Sequence, residues 1–549
     1  MIAAALLLLI VIAPSHGASG GGAPSYPAFT ATGPSAAPGT TSSGTSAQGG
    51  GTKQGTAGGR RLAAGAGGGA TGSGATGSAG GNGTTTATGH GNTKHCVGGK
   101  QFAVAGFAAA PPCQPTWSGN NGGATYQGVT AKQITVVYYS PKDSLALHAI
   151  LGPAGLDPTA AQNADYLARA QSFINARYQL WGRQVRMINY VSKSCQASPP
   201  SDDCFRQDAH TIVSTYHPFA VVYSRNITAP GFQQELSHLG VINFGGMNLP
   251  ASFDTSQAPY HYDYDMDGDT QAVLAGEYYC KELANRPARY AGPALRSKPR
   301  KAEILVEDTP EHVVAAQHLQ AIIDHCDHGG GAVIKTFAPD TGQAVVQTTT
   351  LASQAKQSGI TTLLYFTDPV FPVYLTPQLT AQDYFPENVV IGSSYLDFDE
   401  LGQLYSKQQW AHAFGLGDLP DMSSLSNYDA GAVYRSTHGK LGPFVSANNM
   451  QGDLSVLAAG LQQAGPTLNP ATFQRAVLTL PAWGGSRYHA LVKYGAGDYT
   501  GVSDVRRIYW DPSRRSPVDG KPGTYVALDN GRRYTIGQLP SGTFTIPGR

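Results

Sequence analysis

Charge is scarce in this sequence. Lys, Arg, Asp and Glu make up 13% of 549 residues, and 37 basic against 36 acidic side chains leave a net charge of +1. No basic block stands out, which argues against nucleic-acid binding. Long apolar runs are scarcer still. The only one runs from Ala3 to Ala13 and is too short for a bilayer, which needs about 20 residues. No transmembrane segment is therefore expected in the mature chain. The body also lacks G-x-S-x-G, H-E-x-x-H and G-x-x-x-x-G-K-[ST], which weakens an enzyme reading. No cofactor is called for.

Acidic residues are missing altogether from 18–93, where Lys53, Arg60 and Arg61 are the only basic ones. That stretch is Gly, Ala, Ser and Thr with little else. It cannot bury enough apolar surface to offset the entropy of ordering it, so a flexible arm is expected there. Ahead of it, the apolar run is followed by Pro14, Ser15, His16 and Gly17. This is the pattern of a signal peptide over 1–17, although the usual basic residue in front is absent. No cysteine follows the run to carry a lipid anchor.

Six cysteines are present: Cys96, Cys113, Cys195, Cys204, Cys280 and Cys326. An even number suits disulfides in an exported protein, and six permit many connectivities. Proximity favours Cys96–Cys113, Cys195–Cys204 and Cys280–Cys326. Two other clusters are read as structural. Asp263, Asp265, Asp267 and Asp269 begin like a calcium loop, but Leu274 stands where the ion needs a bidentate Glu; Asp267 or Asp269 is expected to cap a helix instead. Asp324, His325, Cys326, Asp327 and His328 sit at a helix end, where His suits the dipole. No metal is expected.

From about residue 94 onward, short β-branched and aromatic runs alternate with helical periodicity. Strands are expected at 134–139, 185–190, 220–223 and 241–244, with helices at 160–180, 203–216 and 229–239. The pattern then restarts: a helix at 269–283, strands at 303–306, 332–337, 361–366 and 389–391, helices at 310–326, 343–357 and 370–381. Further helices are expected at 398–413, 429–437, 450–463 and 470–478, then strands at 488–494, 506–510 and 524–527. Such alternation gives α/β architecture with parallel sheets and right-handed crossovers. The expected organisation is an N-terminal extension at 94–127, a first α/β lobe at 128–262, a second at 263–396, and a C-terminal section at 397–549 returning to both.

Several stretches resemble branched-chain amino-acid-type solute-binding proteins of ABC transporters. They are Gly128-Val129-Thr130 leading into Ile134, the helix–turn–strand of 168–186 with Trp181-Gly182-Arg183, Cys195 and Cys204, Ala220-Val221-Val222, Gly240-Val241-Ile242, and Tyr509-Trp510-Asp511-Pro512. The resemblance covers about 128–537 and lies in order and spacing. It implies a type I periplasmic-binding fold, with two Rossmann-like lobes, a hinge and a ligand cleft between them. It also implies that an acid of the second lobe meets a ligand's amino group.

Parallel α/β sheets bind ligands outside the carboxyl ends of their strands. In the first lobe those ends carry Ser140, then Ser224, Arg225, Asn226 and Thr228, then Gly245 and Gly246. Thr228 could cap a helix whose free N–H groups hold an anion, and Arg225 could add a bidentate contact. In the second lobe they carry Asp308, Thr367, Asp368, Ser394 and Tyr395, with Asp368 the first candidate for an amino group and Asp308 the second. Tyr260, Tyr262 and Tyr264 alternate along the crossover, and Tyr264 is the expected aromatic wall. The expected function is extracytoplasmic capture of a small polar solute, an amino acid or amide-like, by hinge closure. The expected partners are that small-molecule ligand and the membrane permease of an ABC importer, with the protein itself a monomer. A surface receptor of the same fold without transport, and a secreted hydrolase, are the alternatives.

Overall fold

The computed structural model describes residues 95–549 apart from 102–103, 105, 143, 197–200, 224–228, 247, 393–394, 422–426, 440–446 and the side chain of 449. All of these belong to the unit Ser78–Arg549. The expectations for 1–17 and 18–93 fall outside the described residues.

The first lobe is built on β1 (Gln133–Lys142), which is buried along nearly its whole length. Its unbroken apolar run is what a parallel strand covered on both faces requires. α1 (Ala160–Arg177) starts at a capping box of Thr159 and Gln162 and buries Tyr166, Leu167, Ala170, Phe173 and Ile174. Next come β2 (Gln184–Gln196), α2 (Asp202–Tyr216), β3 (Ala220–Tyr223), α3 (Pro230–His238), β4 (Ile242–Phe244), α4 (Ala251–Ser256) and β5 (His261–Tyr262). The sheet order is β2-β1-β3-β4-β5, and every pairing is parallel.

The second lobe repeats the plan. It runs α5 (Gly268–Tyr278), β6 (Ala302–Glu307), α6 (Pro310–Cys326), β7 (Ala332–Phe337), α7 (Ala344–Gln357), β8 (Thr362–Phe366), α8 (Phe371–Ala381), β9 (Glu387–Ile391) and β10 (Ala413–Gly417). Its parallel strands lie in the order β7-β6-β8-β9-β10, the same permutation as in the first lobe. The chain then leaves to form α9 (Asp429–Ser436), α10 (Ala447–Gln463) and α11 (Pro470–Leu478). α9 and α10 pack on α1 of the first lobe. The chain finally returns as β11 (Val505–Arg515), antiparallel to β10, with β12 (Pro522–Ala527) and β13 (Arg533–Tyr534) beside it.

Three expectations need correction. The helix expected at 269–283 ends as α5 at Tyr278 and continues as a π-turn over Tyr279–Leu283. The helix expected at 398–413 is two single turns, Asp399–Gly402 and Lys407–Trp410, and then β10. β10 reads AFGLG and has no β-branched residue, so propensity hides it. Gly415 is needed there: its φ is 139°, and a Cβ would lie 2.0 Å from the Val390 carbonyl oxygen. The strand expected at 488–494 is irregular chain joined by isolated bridges such as Trp483–Val492 and Ser486–His489.

The three disulfides are Cys96–Cys113, Cys195–Cys204 and Cys280–Cys326, with Cα separations of 5.8, 5.5 and 5.6 Å. The extension carrying the first of them packs on the body. Trp117 meets Trp181 edge-on, and Gln462 and Gln463 of α10 both donate to the Pro112 carbonyl. Buried Arg183 donates to the carbonyls of Asn121, Gly123, Thr130 and Pro466, joining extension, first lobe and α10.

Candidate functional site

The carboxyl ends of both sheets converge on the segments that link the lobes. Residues 263–267 follow β5 and lead to α5, and 498–502 run beside them on the way back to β11. The Asp263 N–H donates to the Tyr499 carbonyl (3.1 Å), the Val502 N–H to the Tyr264 carbonyl (2.9 Å) and the Gly501 N–H to the Asp265 carbonyl (3.2 Å). Asp267 accepts from the Thr270 N–H at 2.8 Å and so caps α5, the role expected for it. Tyr395, buried just beyond the end of β9, donates its hydroxyl to Asp265 at 2.5 Å. Gln271 of α5 donates to the Gly392 carbonyl at the end of β9. The second sheet is thus hydrogen-bonded to the linking strands at its carboxyl end.

On the first-lobe side, Ser140 is buried at the end of β1, and its Oγ has no hydrogen-bond partner among the described residues. A buried hydroxyl left unpaired costs about 1–3 kcal/mol, and a ligand atom would satisfy it. Gly245 and Gly246 end β4 with φ of 105° and 125°. A Cβ at Gly246 would come within 2.8 Å of Leu249 and one at Gly245 within 3.2 Å of Tyr223, so both positions keep the backbone bare. Gln233 of α3 donates to the Gly245 carbonyl at 3.4 Å while its Oε1 has no partner among the described residues. Ser224, Arg225, Asn226 and Thr228 lie outside the described residues.

On the second-lobe side, neighbouring strands bring Asp308 and Asp368 to adjacent ends, since Val306 of β6 pairs with Phe366 of β8. Asp308 is exposed, and its N–H donates to the Phe337 carbonyl. Half-buried Asp368 accepts from the N–H groups of Val370 (2.6 Å) and Phe371 (3.1 Å) at the start of α8. Thr367 is buried and donates to the Asp368 carbonyl at 3.0 Å. Burial first, then the carboxylate of Glu307, lifts the Asp368 pKa to about 7. Glu307 is itself lifted to about 7 by burial, against a hydrogen bond from the Asp368 N–H. His312 of α6 stands 3.7 Å from Glu307 and 2.5 Å from the Thr309 hydroxyl.

Glu307 and His312 escaped sequence reasoning, as did Asp418, which follows β10. Glu307 ends the strand AEILVE, one residue past the end expected from sequence, and was passed over in favour of Asp308. Burial together with Asp397 and Asp265 raises Asp418 well above the usual carboxylate range. Tyr264 lies against α10, where a Cβ on Gly452 would come within 2.5 Å of its ring, and its N–H faces Asp453 at 3.3 Å. Tyr395 takes the left-handed conformation, φ 62°. Ser394 lies outside the described residues. No group of three or more His, Cys, Asp or Glu able to hold a metal ion occurs among the described residues.

No protein-family model and no curated protein matches this sequence. Solved structures do match. A solute-binding protein of an ABC transporter from Rhodopseudomonas palustris BisB5, in complex with 3,4-dihydroxybenzoic acid, aligns with a TM-score of 0.51 at 10% identity, over 74% of this chain and 98% of that one. A fatty acid ABC transporter substrate-binding protein from Thermomonospora curvata gives 0.52 at 13% identity, over 76% and 97%. A periplasmic binding protein from Burkholderia mallei gives 0.51 at 12% identity, over 74% and 96%. With five parallel strands in one order in each sheet, and linking segments paired at their carboxyl ends, the chain has the type I periplasmic-binding fold.

Proposed function

We propose that this protein captures a small polar solute outside the cytoplasmic membrane, holds it between its lobes by hinge closure, and delivers it to the permease of an ABC importer. It binds and does not turn over its ligand. The observations that carry the reading are a buried hydroxyl without a partner among the described residues, Ser140, at a strand end of the first lobe, and the carboxyl groups of Glu307 and Asp368 at strand ends of the second. The first lobe supplies Ser140, Ser224, Arg225, Asn226, Thr228, Gly245 and Gly246. The second supplies Asp308, Thr367, Asp368, Ser394 and Tyr395, with Tyr264 beside the hinge. This polarity suits an amino acid or amide, whose carbonyl end meets donors and whose nitrogen end meets acids. Three disulfides support an oxidising compartment, and no described helix is long and apolar enough to cross a membrane.

A receptor of the same fold without transport is the second reading. The long Gly-rich stretch of 18–93 favours it.

Thermal unfolding against a panel of amino acids, amides, sugars and aromatic acids tests the proposal. A ligand at a hundred times its Kd stabilises the native state by about 2.7 kcal/mol, a shift of several degrees. A shift confined to amino acids or amides is expected. No shift across the panel would overturn the solute-capture reading, and a shift with no permease co-purifying would favour the receptor.

A further inference from the structure

We infer that the amino-end pole of the second lobe, carrying Arg286, Arg289, Arg296, Lys298 and Lys301, is a docking surface for a linear phosphate-bearing polymer outside the cytoplasmic membrane. The surface itself stands apart from the solute-binding reading. Only the choice of polymer over membrane rests on it.

Residues 285–301 carry those five bases and Arg300, and no acid, in a chain whose net charge is +1. Only Arg300 and Lys301 are adjacent, so no block stands out along the sequence; the fold gathers them. Pro287, Pro293 and Pro299 restrict the backbone of the segment. An antiparallel bridge joins Pro287 to Pro299, and the Ala288 N–H donates to the Lys298 carbonyl at 3.0 Å. Ala288, Ala291 and Leu295 anchor it in the core of the lobe. The platform is ordered before any partner arrives, which spares the entropy of ordering it on binding.

The segment lies across the amino ends of the second sheet. Asn285 donates to the Cys326 carbonyl at 2.8 Å and accepts from the His328 N–H at 3.0 Å, just ahead of β7. The Tyr290 N–H donates to Glu387, the first residue of β9, at 3.1 Å. The Lys301 N–H donates to the Thr361 hydroxyl, just before β8, at 2.8 Å. The candidate solute site is at the carboxyl ends of these same strands, so the two surfaces stand at opposite poles of the lobe and can be occupied together.

The positive charge there is largely uncancelled. Arg300 is buried against Glu387. Glu282, beside Arg286, is bonded to Arg507. Arg289, Arg296 and Lys298 are exposed, and Arg286 and Lys301 half-buried. Arg286 donates to the Lys281 carbonyl, Arg289 lies over the Tyr290 ring, and Lys301 donates to the Ser358 carbonyl. None of these contacts removes charge. Exposed Lys356, at the end of α7, donates to the Gln382 carbonyl and adds to the same pole. The exposed acids Asp324 and Asp383 offset part of this charge.

The character of the surface selects its partner. No large apolar side chain is exposed within 285–301, so nothing there inserts into a bilayer or stacks on a base. Three of the five bases are arginines, whose planar forks match pairs of phosphate oxygens. Single exposed charge contacts are weak and screened by salt, so spaced bases suit a repeating anion rather than a lone one. Membrane headgroups carry the same charge. A lobe lying on the membrane by this pole, however, would turn its carboxyl-end site away from a permease. A polymer beyond the membrane leaves that site facing inward.

The test is binding of the full chain to long-chain inorganic polyphosphate and to phosphatidylglycerol vesicles. Wild type is compared with a triple variant, Arg289→Glu with Arg296→Glu and Lys298→Glu. A control triple, Arg186→Glu with Lys193→Glu and Arg514→Glu, makes the same change in net charge at exposed bases elsewhere. All six side chains are exposed, so both triples should keep the wild-type Tm. Polyphosphate affinity is expected to fall at least about tenfold in the first triple and to stay within about threefold in the control. In wild type it should fall at least about tenfold between roughly 50 and 200 mM salt. Equal losses in the two triples would reduce binding to net charge and overturn the docking surface. Binding to vesicles but not to polyphosphate would overturn the polymer assignment, and binding to neither at low salt would overturn the inference outright. No solute enters these assays, so their outcome is separate from that of the unfolding panel.

Discussion

At the carboxyl ends of the first sheet stand a hydroxyl and two glycines, Ser140, Gly245 and Gly246; at the matching ends of the second stand Glu307, Asp308 and Asp368. The strand permutation is the same in both sheets, so topology does not impose this difference. The lobes also bury arginine differently. Arg183 in the first lobe donates to four backbone carbonyls. Arg300 in the second forms a two-pronged pair with Glu387, both contacts at 2.8 Å and both partners buried. These two buried arginines thus meet neutral carbonyls in one lobe and an acid in the other, and among the described strand-end residues the acids stand on the second lobe. The proposed function uses this difference, with donors from one lobe and acids from the other.

The largest test of this comparison is Glu387→Ala. Removing one partner of a buried pair strands the other, and the second lobe should lose about 3–5 kcal/mol, read from urea unfolding. An effect below 1 kcal/mol would mean that the pair is not part of that lobe's framework. Next in size are the glycines. Gly415→Ala sets a Cβ against a backbone oxygen and should destabilise more than Gly245→Ala, where the neighbour is a side-chain atom at 3.2 Å. The second variant should cost roughly 1–3 kcal/mol through its left-handed backbone, and equal melting temperatures would contradict this ranking.

A pH effect comes next. Glu307 and Asp368 both have pKa values raised to about 7, so the folded state holds protons that the unfolded chain releases near pH 4. Their contribution is complete below pH 4 and fades as pH rises through 7. Glu307→Gln should flatten the fall in Tm between about pH 5 and 8. The smallest effect compares disulfides. Cys280–Cys326 closes 46 residues and Cys195–Cys204 closes 9. Loop entropy makes removal of the longer loop's bridge about 1 kcal/mol more costly, measurable as the difference between the two double Cys→Ala variants.

Much of the fold was legible because the sequence alternates short β-rich runs with helical periodicity. The strands Ala220–Tyr223 and Ala332–Phe337 and the helices Pro310–Cys326 and Pro470–Leu478 match their sequence boundaries. What stayed hidden was held by tertiary contacts rather than local preference. β10 has Gly415, which lets it lie against β9, and the returning segment at 498–502 is fixed by bonds to 263–265, far away in sequence. The site was legible as a set of strand ends, because the carboxyl-end rule depends only on where strands stop. Glu307 directly follows the strand expected at 303–306, but nothing local shows that an acid there is buried, and Asp308 beside it was taken instead. The capping duty of Asp368 could not be read from sequence, since an acid after a strand looks the same whether it serves a helix or a ligand.

The central claim is that one ligand touches both lobes. The direct test is calorimetric titration of wild type, Ser140→Ala and Asp368→Asn with whichever solute the unfolding panel selects. Asn retains the oxygen that caps α8, and Ala removes a hydroxyl with no partner, so both variants should fold with near-normal Tm. Each should bind at least about tenfold more weakly, and the double variant more weakly than either. Unchanged affinity in either single variant would place the ligand on one lobe alone and contradict the account.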